Sequence, residues 1–186
     1  MAHIKAQLDT SSADALKTVL HAKSAFAIPK IRKVVLNMGI GKIASANVQV
    51  RDRVLEETAR IISLIAGQKP APRRAKKSIA GFKVREGEVI AYVVTFRGQR
   101  MRDFIERFFN IALPRTRDFR GISLKNVDLH GNLTIGVREH IVFTEVAGEE
   151  TRQLYGMEVT IVPTTKSREK ALALYRALGF PFEKEH

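Results

Sequence analysis

IRKVVLNM, residues 31–38, alternates with period two. Val34, Leu36 and Met38 fall on one side, and Lys33, Val35 and Asn37 on the other. A strand with one apolar and one largely polar face is predicted, ending at Gly39. Downstream, RDRVLEETARIISLIA (51–66) changes period: Val54, Thr58, Ile61, Ile62 and Ile65 mark an amphipathic helix, stopped by Gly67 and by Pro70 beyond it. VIAYVVTFR (89–97) alternates again, with Ile90, Tyr92, Val94 and Phe96 on one face, Val93, Thr95 and Arg97 on the other, and Gly98 as its end. Between them, KPAPRRAKKSIAGFKVREGE (69–88) has two prolines, two glycines, mostly basic charge and no sustained period, and reads as an extended basic loop.

The flanks complete the pattern. SADALKTVLHA (12–22) places Leu16, Val19 and Leu20 at helical spacing, with Ser11 or Ser12 available as a cap, inside an N-terminal helical segment spanning 1–25. Met101, Phe104, Ile105, Phe108 and Ile111 form a helical stripe that Pro114 closes, and PRTRDFRGIS (114–123) follows as an exposed loop. LTIGVR (133–138) and MEVTIVP (157–163) are strands. The second leads into a helix from about Ser167 to Leu178, stopped by Gly179 and Pro181. Half-polar strands interleaved with helices predict an α+β, two-layer domain over 1–186. Its sheet is mainly antiparallel, with helices packed on one face and the other face exposed.

Thirty-two Lys and Arg against nineteen Asp and Glu give a net charge of +13. Such self-repulsion opposes compaction and makes most sense when a polyanion neutralises it, as nucleic acid or an anionic membrane surface would. Insertion into a membrane is not expected, because no run approaches the roughly 18 apolar residues of a spanning helix. MAHIKAQLDT lacks the apolar stretch of a secretory signal. Without a single Cys there are no disulfides, no Cys-ligated zinc and no thiol catalysis, which fits a cytosolic location.

Catalytic patterns are weak. His3, His21, His130, His140 and His186 are scattered, and neither H-E-x-x-H nor G-x-S-x-G occurs. GIGKIA (39–44) matches the dinucleotide fingerprint G-x-G-x-x-A just after a strand. That fingerprint also needs an acidic residue ending the next strand, about twenty residues on, whereas Glu56 and Glu57 fall inside a helix. The two glycines are better read as a turn with positive φ or as a close backbone approach. GQKPAPRRAKKS has no Gly before Lys77 and Ser78, so it is not a P-loop. No cofactor and no metal are expected.

Residues 69–102 hold ten Lys and Arg and two Glu, which is +8 of the +13. A solvated basic face that only aids solubility is the plain alternative, but clustering on a Pro/Gly loop argues against it. Lys76, Lys77, Lys83 and Arg85 can follow a phosphate backbone and release counterions. Lys33, Asn37, Thr95 and Arg97 lie opposite the aliphatic strand faces and form a polar platform if the strands share a sheet. Donors and acceptors of that mixture suit an irregular RNA better than a regular DNA duplex. Most of the aromatic residues are core, but Phe82 inside the basic loop is a candidate for contact with a partner.

Several long strings then occur in one order: IPKIRKVVLNMGIG (28–41), GQKP (67–70), AKKSIAGFKVREG (75–87), VTFRGQRMRDFIERF (94–108), IALPRTRDFRGIS (111–123), GNLTIGVREHIVF (131–143) and GMEVTIVPTT (156–165). Over residues 26–182 the chain resembles the L-five family of bacterial large-subunit ribosomal proteins, universal family uL-five. The resemblance implies a non-enzymatic, cytoplasmic ribosomal protein that binds 5S rRNA in the central protuberance. It implies 5S rRNA contacts at Lys33, Asn37, Met38, Gly39, Gln68, Thr95 and Arg97. Contact with P-site tRNA would fall to Lys76, Lys77, Ser78, Lys83 and Arg85 of the basic loop. Further implied partners are neighbouring large-subunit rRNA and proteins, and small-subunit protein thirteen across an intersubunit bridge placed in the region after Pro114. Residues 1–25, a short insertion between Gly41 and Arg51, and EVAGEETRQLYG (145–156) depart from the family pattern. A different basic RNA binder, such as a ribosome assembly factor, is the rival reading.

Overall fold

The computed structural model describes residues 24–41, 51–117, 119–149 and 153–183. The expected helix at 12–22 lies outside the described residues. The elements in chain order are β1 (Ile31–Gly39), α1 (Arg51–Ala66), β2 (Ala71–Arg74), β3 (Val89–Phe96), α2 (Gly98–Arg107), β4 (Leu133–Val137), β5 (Met157–Pro163) and α3 (Arg168–Ala177). The strands make one antiparallel five-stranded sheet in the order β2-β3-β1-β5-β4, so the α+β expectation holds.

One correction concerns residues 69–88. They are not a featureless loop, because Ala71–Arg74 pairs with β3, Ala71 opposite Val93 and Arg73 opposite Ala91. Pro72 hid this strand from the pattern. At a sheet edge a proline forfeits no ladder bond that faces solvent, and all four residues of β2 are exposed.

The chain clusters into two compact units. Of the described residues, one unit holds those within 24–34, 96–135 and 159–183, and the other holds those within 35–95 and 136–158.

The first unit is organised by stacked rings. Phe96 lies on Phe104 with centroids 4.3 Å apart, Phe104 on Phe108 at 5.9 Å, Phe108 meets Phe109 edge-on at 5.2 Å, Phe109 stacks on Phe180 at 4.1 Å, and Phe180 on Tyr175 at 5.3 Å. Each such pair adds about 0.5–1.5 kcal/mol beyond the area it buries. Leu133, Ile135, Val159 and Ile161 are buried alongside them in the sequence of the same unit. Ile111 departs from its predicted place on the helical stripe and is exposed. A π-helical turn over Phe108–Ala112 inserts extra rotation after α2, which carries Ile111 off the buried face. Ser167 caps α3, its Oγ accepting from the Lys170 N–H.

In the second unit α1 buries Val54, Thr58, Ile61, Ile62 and Ile65, the stripe read from the sequence, and packs on the short turn Thr144–Val146. Leu36 and Met38 of β1 and Val94 of β3 are buried, whereas Ile90 and Tyr92 are only half-buried. Neither Gly39 nor Gly41 has positive φ, so neither glycine is there for a left-handed backbone. A Cβ on Gly41 would lie 3.7 Å from the Ile90 Cβ, ordinary van der Waals contact, beside the bond from the Ile40 N–H to the Ile90 carbonyl at 2.9 Å, so space does not demand a glycine there.

Candidate nucleic-acid interface

Alternation decides what the strands offer to a partner. On β1 the buried positions Val34, Leu36 and Met38 alternate with half-exposed Lys33, Val35 and Asn37, as the period-two reading requires. Ile31 is also buried, so the alternation slips by one residue and leaves both Arg32 and Lys33 accessible. Lys33 and Arg97 belong to the first unit. Arg97 is exposed on extended backbone, φ −142° and ψ 162°, two residues beyond Thr95.

The second unit holds Asn37, Met38, Gly39, Gln68 and Thr95. Gln68 Nε2 donates to the Thr95 carbonyl at 3.2 Å, which ties the residue after α1 to the end of β3. Thr95 and Gly39 are exposed, and nothing lies within 4 Å of a Cβ built on Gly39. The Met38 side chain is fully buried, so only its backbone can meet a partner. Asn37 and Gly39 line a groove of about 490 Å³ together with Gly136, Arg138, Gly156 and Glu158. Arg138 was not singled out by sequence reasoning. The signal was present, since Leu133, Ile135 and Val137 are buried and the even positions of LTIGVR therefore face away from the core.

The basic hairpin is shaped by its backbone. Ala75 N–H donates to the Glu88 carbonyl at 2.8 Å, and Gly87 N–H returns to the Ala75 carbonyl at 2.9 Å. Nearer the tip, Ile79 and Val84 exchange bonds of 2.9 and 3.3 Å, and Lys83 N–H donates to the Ala80 carbonyl at 3.0 Å from a left-handed conformation, φ 51°. Two side chains add closure. Ser78 Oγ accepts from the Glu86 N–H at 2.9 Å, and Glu88 Oε2 accepts from the Arg85 N–H at 3.0 Å. The other Glu88 oxygen takes Arg51 Nη1 at 2.7 Å. The Arg85 amide first, and then Arg51, hold the Glu88 carboxyl below its ordinary pKa. Lys76, Lys77, Lys83 and Arg85 are accessible on this frame. Phe82 is 71% exposed and Ile79 is 50% exposed.

This arrangement can bind a polyanion through cations, amides and hydroxyls. Among the described residues no group of three His, Asp or Glu side chains is placed to hold a metal ion, and no helix is long and apolar enough to cross a membrane.

Residues 24–85 match the family model "Ribosomal protein L5", and residues 89–182 match a second model, which describes the C-terminus of the same ribosomal protein family. The chain belongs to the ribosomal L5 family. Large ribosomal subunit protein uL5 of Syntrophotalea carbinolica is 44% identical over 184 residues, covering 99% of this chain and 97% of that one. The uL5 protein of Acaryochloris marina is 48% identical over 160 residues, 86% of each chain, and that of Dichelobacter nodosus is 42% identical over 167 residues, 90% of each. As an L5 family member the chain is an RNA-binding structural constituent of the large ribosomal subunit, a component of the cytoplasmic ribosome and not an enzyme. Its partners are rRNA and other ribosomal components, and the assembly-factor alternative gives way to this membership.

Proposed function

We propose that this L5 family member holds 5S rRNA in the central protuberance through Lys33 and Arg97 of the first unit and Asn37, Met38, Gly39, Gln68 and Thr95 of the second. The hairpin residues Lys76, Lys77, Ser78, Lys83 and Arg85 reach P-site tRNA. The region after Pro114 contributes to an intersubunit bridge with small-subunit protein thirteen, and other surfaces meet neighbouring large-subunit rRNA and proteins.

The observation that carries this reading is the division of labour along β1 and β3. On β1 the side chains of Val34, Leu36 and Met38 go to the core while Lys33 and Asn37 stand accessible between them, and at the end of β3 exposed Thr95 stands between buried Val94 and Phe96. Such groups suit phosphates, 2′-hydroxyls and base edges. The geometry refines individual roles. Met38 contributes through its backbone, Gln68 from a side chain anchored on the Thr95 carbonyl, and Ser78 by shaping the loop that presents the cations.

The test is a gel-shift with 5S rRNA at two salt concentrations, with tRNA as competitor. Asn37→Ala and Arg97→Ala each weaken binding by about 1–3 kcal/mol with the fold intact. Lys76→Ala combined with Lys77→Ala leaves isolated 5S rRNA binding nearly unchanged but impairs ribosome function with tRNA. Unchanged affinity in the first pair refutes the 5S assignment, and a large loss of 5S affinity in the second refutes the separation of the two surfaces.

A further inference from the structure

The hairpin tip carries an apolar groove that the cations alone do not explain. It encloses about 970 Å³, and Ile79, Phe82 and Ile90 form its apolar wall while Lys76, Lys77 and Lys83 stand at its rim. Two large apolar side chains held this far into solvent on an ordered loop are costly, at about 25 cal/mol for each Å² left wet. The hydrogen bonds that order the loop are made by backbone groups, by Ser78, by Glu88 and by Arg74 on the Gly87 carbonyl.

We propose that this groove receives one unstacked base of an RNA loop, with Phe82 and Ile79 against the face of the base and Lys76, Lys77 and Lys83 on the flanking phosphates. The argument is charge and shape complementarity. Among the described residues the groove is lined by three lysines and no acidic side chain, which suits an occupant with negative charge, and the wall between the cations is apolar, which suits an occupant with a flat apolar surface. An unpaired nucleotide has both in one residue. Duplex RNA stacks its bases inside and offers only its backbone, which would leave Phe82 and Ile79 in water. Base-on-aromatic contact tolerates any base, because every base has a π-face. This proposal rests on reading the hairpin as an RNA-contacting arm and adds the kind of RNA that it takes.

The chain has no Trp, so Phe82→Trp places a unique fluorophore at the groove, on a side chain exposed enough for the exchange to leave packing intact. Short single-stranded oligouridylate is titrated into the full-length variant, with binding followed in parallel by gel-shift. The expected result is quenching of the tryptophan emission as the oligonucleotide binds, with the midpoint moved to roughly tenfold higher concentration by Lys76→Ala and Lys77→Ala. An abasic chain of equal length, the same strand in a duplex, and polyglutamate leave the emission unchanged. Absence of quenching when the gel-shift is complete overturns the proposal. Equal quenching by the abasic chain, the duplex or the acidic polypeptide overturns it as well, the last pointing to a protein partner. If the lysine variants impair tRNA-dependent ribosome function while Phe82→Trp stays unquenched, the base groove fails and the RNA-contacting arm stands. If neither responds, both fail.

Discussion

Tyr175→Phe removes one oxygen from the interior of the first unit and leaves the ring stack on Phe180 in place. The Tyr175 side chain is fully buried, and its hydroxyl donates to the Gly131 carbonyl at 2.8 Å, with the Ile161 carbonyl 3.3 Å away. Burial pushes the phenol well above its ordinary pKa, so the proton stays on and the bond is intact at neutral pH. One proton serves mainly the shorter contact. Without it the Gly131 carbonyl is left in a turn pressed against α3, where a Cβ on Gly131 would come within 2.6 Å of the Ala171 Cβ. An unsatisfied buried carbonyl costs about 1–3 kcal/mol. At roughly 2–4 °C per kcal/mol for a chain of this length, a loss of about 2 kcal/mol lowers Tm by roughly 4–8 °C. Urea titration followed by circular dichroism should show a lower midpoint with unchanged m, and gel-shift should show unchanged 5S rRNA affinity. A loss below about 0.5 kcal/mol refutes the reasoning, since a buried carbonyl deprived of its donor cannot cost so little.

The second unit supplies a pH test. His140 is buried with Nδ1 accepting from the Tyr155 N–H at 3.1 Å, and burial lowers its pKa although Glu57 and Glu139 oppose the shift. The folded state thus resists protonation more than the unfolded one, so the stability from neutral His140 is complete above about pH 6.5 and is lost as pH falls through the lowered pKa. The urea midpoint should drop between about pH 7.5 and about pH 5, and His140→Asn, whose side-chain oxygen can take the same N–H, should flatten the slope; equal slopes reject the assignment. Glu88→Gln weakens the acceptor for the Arg85 N–H and the partner of Arg51, so amide exchange at Arg85 should speed up several-fold. Wild type should show the same loosening only as pH drops below the ordinary carboxylate range, because the Glu88 pKa is lowered, and unaltered exchange in the variant contradicts the role given to Glu88. Lys83→Gly removes a charge from a left-handed position that costs an L-residue roughly 1–2 kcal/mol. The relief and the added chain entropy of glycine nearly cancel, so stability by urea titration should stay within about 1 kcal/mol while ribosome function with tRNA declines; undiminished function would remove Lys83 from the contact.

Where local pattern and tertiary burial agree, the sequence was enough. The stripe of α1, the alternation of β1 and the start of α3 near Ser167 each depend on residues a few positions apart. The failures share the opposite property. β2 is a strand because β3 lies beside it, and Pro72 with two arginines masks any periodic signal of its own. Ile111 leaves the stripe because a π turn changes the period in mid-segment, and nothing in FFNIA announces the extra residue. The candidate site divides in the same way. Lys33, Asn37, Thr95 and Arg97 were visible as the polar phase of two strands, whereas the bond from Gln68 to Thr95 spans 27 residues and Arg138 meets Asn37 only through the groove that the fold creates.

The hairpin shows why order and availability need not compete. A loop usually acquires a fixed shape by burying its own side chains, which withdraws them from any partner. Residues 75–88 instead draw on backbone bonds, one hydroxyl at Ser78 and one carboxylate at Glu88, with Arg51 on that carboxylate and Arg74 on the Gly87 carbonyl. Lys76, Lys77, Ile79 and Phe82 therefore need not be spent on holding the loop, yet their Cα positions are fixed by it. A partner that binds them meets a preformed surface and is spared much of the ordering entropy a flexible basic loop would impose. Two kinds of substitution follow from this division. Changes at Ser78 or Glu88 act by loosening the frame and so affect every contact of the loop together, whereas changes at Lys76 or Phe82 remove a single contact from a frame that stays intact.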